Sequence, residues 1–198
     1  MADLYYTIQK PGEGVYTEKR SKFLAFARFA DSVDRAKEII KEFQNEYHDA
    51  RHVCWSYMIG PDRLIWQIND NGEPSGTAGK PILGQINRLN LTNVVVVVVR
   101  YFGGIKLGTS GLISAYKEAA SLALEDAGIK EEHKKISIKV TFPYTASNEV
   151  MKLVKGSNVE IVDKKFDNSC TLEIILAEDL AGRFIQRLLD IDGVTRCD

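Results

Sequence analysis

Apolar residues along this chain recur with two spacings, every second position and every third or fourth. The switches between them mark out the secondary structure. Tyr5–Gln9 and Gly14–Glu18 read as strands. In Phe23–Phe29, Phe23, Ala25, Ala27 and Phe29 alternate with Leu24, Phe26 and Arg28, as in a strand with one well-buried face. A helix starts at Asp31 or Ser32 and runs to about His48-Asp49, with Ala36, Ile40, Phe43 and Tyr47 on one side. His52–Ile59 and Arg63–Asn69 predict a hairpin across Gly60-Pro61-Asp62. Val53, Trp55, Tyr57 and Ile59 share one parity, and so do Leu64, Trp66 and Ile68, which predicts one strongly buried face.

Asp70–Leu83 is too rich in glycine and proline for regular structure until Lys80-Pro81 opens a helix over Ile82–Leu89. Val94–Val99 is an unbroken run of six valines. Such a run predicts a strand covered on both faces, since neither face needs to be polar, and it is too short to cross a bilayer as a helix. It leads through Gly103, Gly104 and Gly108 into a helix from about Ser110 to Ala127, with Thr109 and Ser110 as capping residues and Gly128 as terminator. Ile129–Lys135 is polar and charged and marks a domain boundary. Beyond it come a strand at Ile136–Phe142, a helix at Thr145–Lys155, and strands at Val159–Phe166 and Cys170–Ala177 joined by Asp167-Asn168-Ser169. A helix capped by Asp179 and a short strand at Val194–Cys197 follow. That βαββαβ order is the ferredoxin-like pattern.

Charge narrows what the chain can bind. Its 198 residues carry 26 basic and 27 acidic side chains, for a net charge of −1. This excludes a general nucleic-acid coat protein, so any anion or RNA contact has to be a local patch. The three cysteines, Cys54, Cys170 and Cys197, are widely spaced and form no CxxC, as expected of reduced cytosolic thiols. The N-terminal stretch does not read as a signal peptide, and a cytoplasmic protein without membrane contact is expected.

Candidate chemistry gathers at the two glycine-rich stretches. In a Walker loop the first glycine would fall at Pro74 and the Ser or Thr after the lysine at Pro81, so a P-loop NTPase is excluded. A glycine-rich loop entering a helix still offers N–H groups and a favourable dipole to an anion. The first loop contributes Glu73, Ser75, Gly76, Thr77, Gly79 and Lys80 to this reading. The second contributes Arg100, Gly103, Gly104, Lys106 and Gly108. Lys19, Arg20 and Lys22 form a basic cluster at a strand junction. His52 and Cys54 share the face opposite the aromatics, but one His-x-Cys pair supplies too few ligands for a metal. Neither a metal nor another cofactor is expected, and no catalytic constellation is recognisable.

DNGEPSGTAGKP at Asp70–Pro81 and RYFGGIKLG at Arg100–Gly108 resemble the hallmark segments of the YigZ/Impact family. EKRSKF at Glu18–Phe23 and ARHVCWSY at Ala50–Tyr57 resemble its other recurrent stretches. The resemblance is to the bacterial two-domain form, without the RWD domain of the eukaryotic members. It implies an α+β protein in which residues 1–130 form a ribosomal protein S5 domain 2-like domain. Residues 131–198 then form a ferredoxin-like domain resembling the last domain of elongation factor G. It also implies a connection with translation and no established reaction.

Two functional readings follow. In the first, the protein contacts RNA, the ribosome or a translation factor through a glycine-rich basic cleft, with Lys19, Arg20, Lys22, His52, Lys80, Arg100 and Lys106 available to phosphates and Tyr101 and Phe102 available for stacking. In the second, the same cleft belongs to an enzyme or sensor for a small phosphorylated metabolite, with Glu73 or His52 as base. Against both stands a purely structural use of the glycines, with Lys80 and Arg100 as surface groups or internal ion pairs. Both functional readings require the two loops to meet.

Overall fold

Strand β6 (Val94–Tyr101) is the middle strand of a five-stranded sheet in the computed structural model, which describes residues 4–157, 159–167 and 169–197. The sheet also contains β2 (Gly12–Glu18), β3 (Ser21–Phe29), β4 (His52–Ile59) and β5 (Ile65–Asn69), in the order β2-β3-β6-β4-β5. Every pairing is antiparallel. Helix α1 (Val33–Glu46) covers one face. Helices α2 (Gly79–Arg88) and α3 (Gly108–Ala127) cover the other. The valines divide between the two layers. Val94, Val96 and Val98 pack in the core beneath α2 and α3, while Val95, Val97 and Val99 pack with Ile39, Ile40 and Phe43 of α1. The unbroken apolar run is thus the signature of a two-sided strand.

The hairpin departs from its expected pattern. Strand β4 is buried on both faces apart from His52, whereas β5 is the sheet edge and is exposed along most of its length, with Ile68 half-buried where the start of α2 at Gly79 rests on it. Leu64 is 81% and Trp66 54% exposed, so the apolar alternation of that segment does not mark a core face. Ile129–Lys135, expected as a domain boundary, also carries regular structure. Ile129–His133 is strand β7, paired with β1 (Leu4–Ile8).

The chain divides into two units, one of Tyr5–Glu132 and one containing His133 and the residues beyond it. In the second, β8 (Lys135–Pro143), β9 (Glu160–Lys165), β10 (Ser169–Ala177) and β11 (Thr195–Cys197) form an antiparallel sheet in the order β11-β8-β10-β9. Helix α4 (Ser147–Lys155) and helix α5 (Glu178–Leu189) supply Val150, Val154, Ala181, Phe184 and Leu188 to its core. A 3₁₀ turn at Tyr144–Ala146 precedes α4, and Ala177 rather than Asp179 stands at the N-cap of α5. Asn168, expected in the β9–β10 turn, lies outside the described residues. No helix among the described residues is long and apolar enough to cross a membrane.

Candidate functional site

The register of the large sheet sets the site. Phe23 of β3 pairs with Arg100 of β6, and Arg100 pairs with His52 of β4. Cross-strand partners project to the same face, so these three side chains form a row on the side covered by α3. Arg100 is only 5% exposed. A guanidinium removed from water needs a compensating charge, and Glu73 of the first glycine-rich loop supplies it. Glu73 is 8% exposed and its Oε1 accepts a 2.6 Å hydrogen bond from Arg100 Nη1 and a 2.9 Å bond from the Tyr116 hydroxyl of α3. The Arg100 guanidinium lies over the rings of Phe23 and Phe102, at 5.4 and 5.5 Å.

His52 closes the row. Its Nδ1 is 2.8 Å from the Asn71 carbonyl oxygen, which can only accept, so Nδ1 carries the proton. Nε2 then faces Glu73 Oε1 at 3.8 Å, beyond hydrogen-bonding distance. Cys54, two residues along β4, donates to the Asp70 carbonyl at 3.0 Å and lies 3.3 Å from the Tyr116 hydroxyl. Burial pushes its thiol up to about 12, against the lowering influence of that hydroxyl. The Tyr116 phenol is also raised, first by burial and then by Cys54 and Glu73. Neither group ionises near neutral pH.

The first loop does not hold out its N–H groups to a ligand. Asp70 takes them: Oδ2 accepts from Gly76 N at 2.8 Å, and Oδ1 accepts from Ala78 N at 3.0 Å and Gly79 N at 2.8 Å. The anion at the start of α2 is therefore the chain's own carboxylate, placed where the dipole favours it. Thr77 is buried and donates to the Pro74 carbonyl, while the Gly79 carbonyl accepts from Ser56 Oγ. Lys80 is exposed on α2 and does not line the cavity described below.

The second loop is built differently. A side chain at Gly103 would overlap the backbone of Arg20, so the loop rests directly on the β2–β3 turn. Lys19 and Arg20 occupy that turn with φ of 46° and 67° and are exposed, as is Lys22. Ser21 Oγ accepts from Gly103 N at 3.3 Å and from Arg100 at 3.4 Å. Gly104 and Gly108 have φ of 85° and 75°, conformations that glycine adopts without strain. Helix α3 starts at Gly108 after Leu107. No side chain caps it, and Thr109 and Ser110, expected as caps, lie within its first turn.

The two loops meet. They enclose a cavity of about 510 Å³, with Arg51, His52, Glu73 and Pro74 on one side and Arg100, Phe102, Lys106 and the first turn of α3 on the other. Of the sequence-derived candidates, His52, Glu73, Arg100, Lys106 and Gly108 line it. Gly103 and Gly104 shape the adjoining turn, while Ser75, Gly76, Thr77, Gly79 and Lys80 belong to the internally satisfied loop. Because Glu73 neutralises Arg100, the uncompensated positive charge at the cavity comes from Arg51 and Lys106. Both are exposed and have no ion-pair partner among the described residues. Arg51, Asp70 and Tyr116 had no distinguishing sequence signal beyond the segments that contain them. Phe102 is 48% exposed, whereas Tyr101 is half-buried and donates to Asp49 at 2.9 Å. Arg100 Nε is buried at the cavity without a hydrogen-bond partner. No cluster of three or more His, Cys, Asp or Glu residues arranged for a metal occurs among the described residues.

A family model described as the Impact N-terminal domain matches residues 19–124, a stretch that contains both loops. An IMPACT family member of Haemophilus influenzae is 33% identical over 189 residues, covering 87% of this chain and 91% of its own. The IMPACT family member YigZ of Escherichia coli is 30% identical over 174 residues, covering 87% and 85%. A crystal structure of a hypothetical protein superposes with a TM-score of 0.79 at 28% identity, over 99% of this chain and 97% of that one.

Proposed function

This chain belongs to the Impact family, and from that premise we propose that it is a cytoplasmic, translation-associated binding protein that contacts RNA through the cavity between its two glycine-rich loops. The observation that carries the reading is the convergence of unpaired Arg51 and Lys106, half-exposed Phe102 and the uncapped first turn of α3 on one cavity. Cations and N–H groups suit a phosphate, and an aromatic face suits an unpaired base. The exposed Lys19-Arg20-Lys22 turn abuts the same loop and extends the basic surface beyond the cavity, as a strand longer than one nucleotide requires. A ribosomal or translation-factor partner fits the same family connection.

The same proposal assigns the S5 domain 2-like fold to residues 1–130 and the ferredoxin-like fold, resembling the last domain of elongation factor G, to 131–198. The βαββαβ order of the second unit and its antiparallel sheet support the latter assignment.

One observation favours a second reading, a small phosphorylated metabolite. The cavity has the volume of a small-molecule site, and its floor carries the buried Glu73–Arg100 pair beside His52 and an unpartnered Arg100 Nε. Fluorescence anisotropy with a labelled single-stranded RNA of about 12 nucleotides, in competition with a panel of phosphorylated metabolites, separates the two. RNA binding weakened by Lys106→Ala, Arg51→Ala and Phe102→Ala, with Lys80→Ala neutral, supports the first. Saturable metabolite binding without RNA binding supports the second. If Lys106→Ala and Arg51→Ala leave all binding unchanged, the cavity is not the site.

A further inference from the structure

The second unit contains a groove separate from this cavity. One cavity of about 370 Å³ lies between α4 and the end of α5, lined by Lys152, Leu153, Arg187 and Ile191 among others. A second, of about 210 Å³, lies along the start of α5, where Leu180, Arg183 and Phe184 meet Val159. The two share Ser157 and Arg187 and so adjoin along α5. The α5 wall of the groove is the stripe Leu180, Arg183, Phe184 and Arg187, at helical spacing of three and four, and Ile191 follows just beyond the end of the helix. The helical stripe extends about 10 Å at 1.5 Å per residue, or two turns.

The groove is apolar inside and basic at the rim. Phe184 and Ile191 are buried in its floor, Leu153 and Val159 are half-buried, and Leu180 is 51% exposed at one end. Lys152, Arg183 and Arg187 are exposed and have no ion-pair partner among the described residues. Glu149 and Asp190 stand at the other end, and Asp190 already accepts from Gln186 at 3.0 Å.

We propose that this α4–α5 groove docks an acidic amphipathic helix of a protein partner, with its apolar stripe on Leu180, Val159 and Leu153 and its carboxylates on Arg183, Arg187 and Lys152. Helix-in-groove recognition uses such anchors one turn apart, with the rim charges selecting the partner. Single-stranded RNA fits less well, because no exposed aromatic side chain lines either cavity for a base to stack on. A second copy placed symmetrically on the groove would set Arg183 and Arg187 against their own counterparts.

Anisotropy with the full chain tests this. One labelled peptide of about 16 residues carries leucines at i, i+3, i+4 and i+7 flanked by glutamates, and a control peptide has lysines in place of the glutamates. The glutamate peptide is expected to bind saturably and about tenfold more weakly to Arg183→Glu and Arg187→Glu, and to lose affinity between about 50 and 300 mM salt. Leu180→Gln, an exposed position that leaves the core intact, should also weaken it, and Lys106→Ala should leave it unchanged. Circular dichroism of each variant verifies folding. Equal binding of the two peptides overturns the proposal. So does an RNA oligonucleotide whose binding depends on Arg183 and Arg187, or a dimer in sedimentation that Arg187→Glu dissociates. The Lys106→Ala control keeps these outcomes independent of the loop cavity.

Discussion

A guanidinium buried as deeply as Arg100 needs a carboxylate, and that requirement determines what Arg100 and Glu73 do. Each looks available for ligand chemistry in isolation, the arginine for a phosphate and the glutamate as a base. Together they form an internal pair braced by Tyr116. Arg100→Ala or Glu73→Ala is expected to lower stability by about 3–5 kcal/mol in urea unfolding, because each leaves an uncompensated buried charge. An Arg100→Met, Glu73→Leu double variant should lose far less than the sum of the two, since removing both charges removes the need for the pair. Cys54 supplies a second expectation. Its thiol is raised from 9.0 to about 12, chiefly by burial. The native state then holds a proton that the unfolded chain releases, so this stabilisation is complete below about pH 9 and is lost as pH rises toward 12. Within that window stability should fall by about 1.4 kcal/mol per pH unit from this group alone. The urea midpoint followed from pH 8 to 11, with Cys54→Ala as reference, measures the difference, and equal slopes in the two proteins would refute it.

The elements show why some patterns were readable and others were not. Val94–Val99 announces a two-sided strand because burial of both faces needs only apolar side chains, a local property of the run. Leu64, Trp66 and Ile68 form as clear an alternation, yet β5 is an edge strand, and no residue within it says whether a helix will cover it. The first glycine-rich loop was legible as an anion-binding shape but not in its occupant, because Asp70 becomes the acceptor only once the chain turns back on itself at Asn71-Gly72. Close packing between elements adds a further test. A side chain at Gly12 would overlap the Ala123 carbonyl and the Ala127 methyl of α3. Gly12→Ala should therefore lower stability by about 1–3 kcal/mol. Trp66→Glu on the exposed strand should change it by no more than about 0.5 kcal/mol. Thermal unfolding of the two variants side by side checks the contrast, and the opposite ranking would contradict the assignment of β5 as an open edge.

Across the whole molecule, a net charge of −1 limits how electrostatics can act. Affinity for a polyanion has to come from a few clustered cations, here Lys19, Arg20, Lys22, Arg51 and Lys106. If all five neutralise phosphates of a single strand, log K should fall with log salt at a slope of about −3.5. Lys106→Ala should reduce the magnitude of that slope by about 0.7, and Lys80→Ala should leave it alone. A titration of RNA binding across salt concentrations reads both, and an unchanged slope in Lys106→Ala removes that residue from the contact. The sequence by itself determined the strand and helix order apart from β7, the two-sided character of β6, the glycine turns and the absence of a Walker loop, because these depend on side-chain type and local spacing. Tertiary structure decided which charges are free. Arg100, Glu73 and Asp70 turn inward to one another and to backbone N–H groups, leaving Arg51 and Lys106 at the mouth of the cavity. Pairing is a property of distance in space, and Arg100 and Glu73 lie 27 residues apart along the chain.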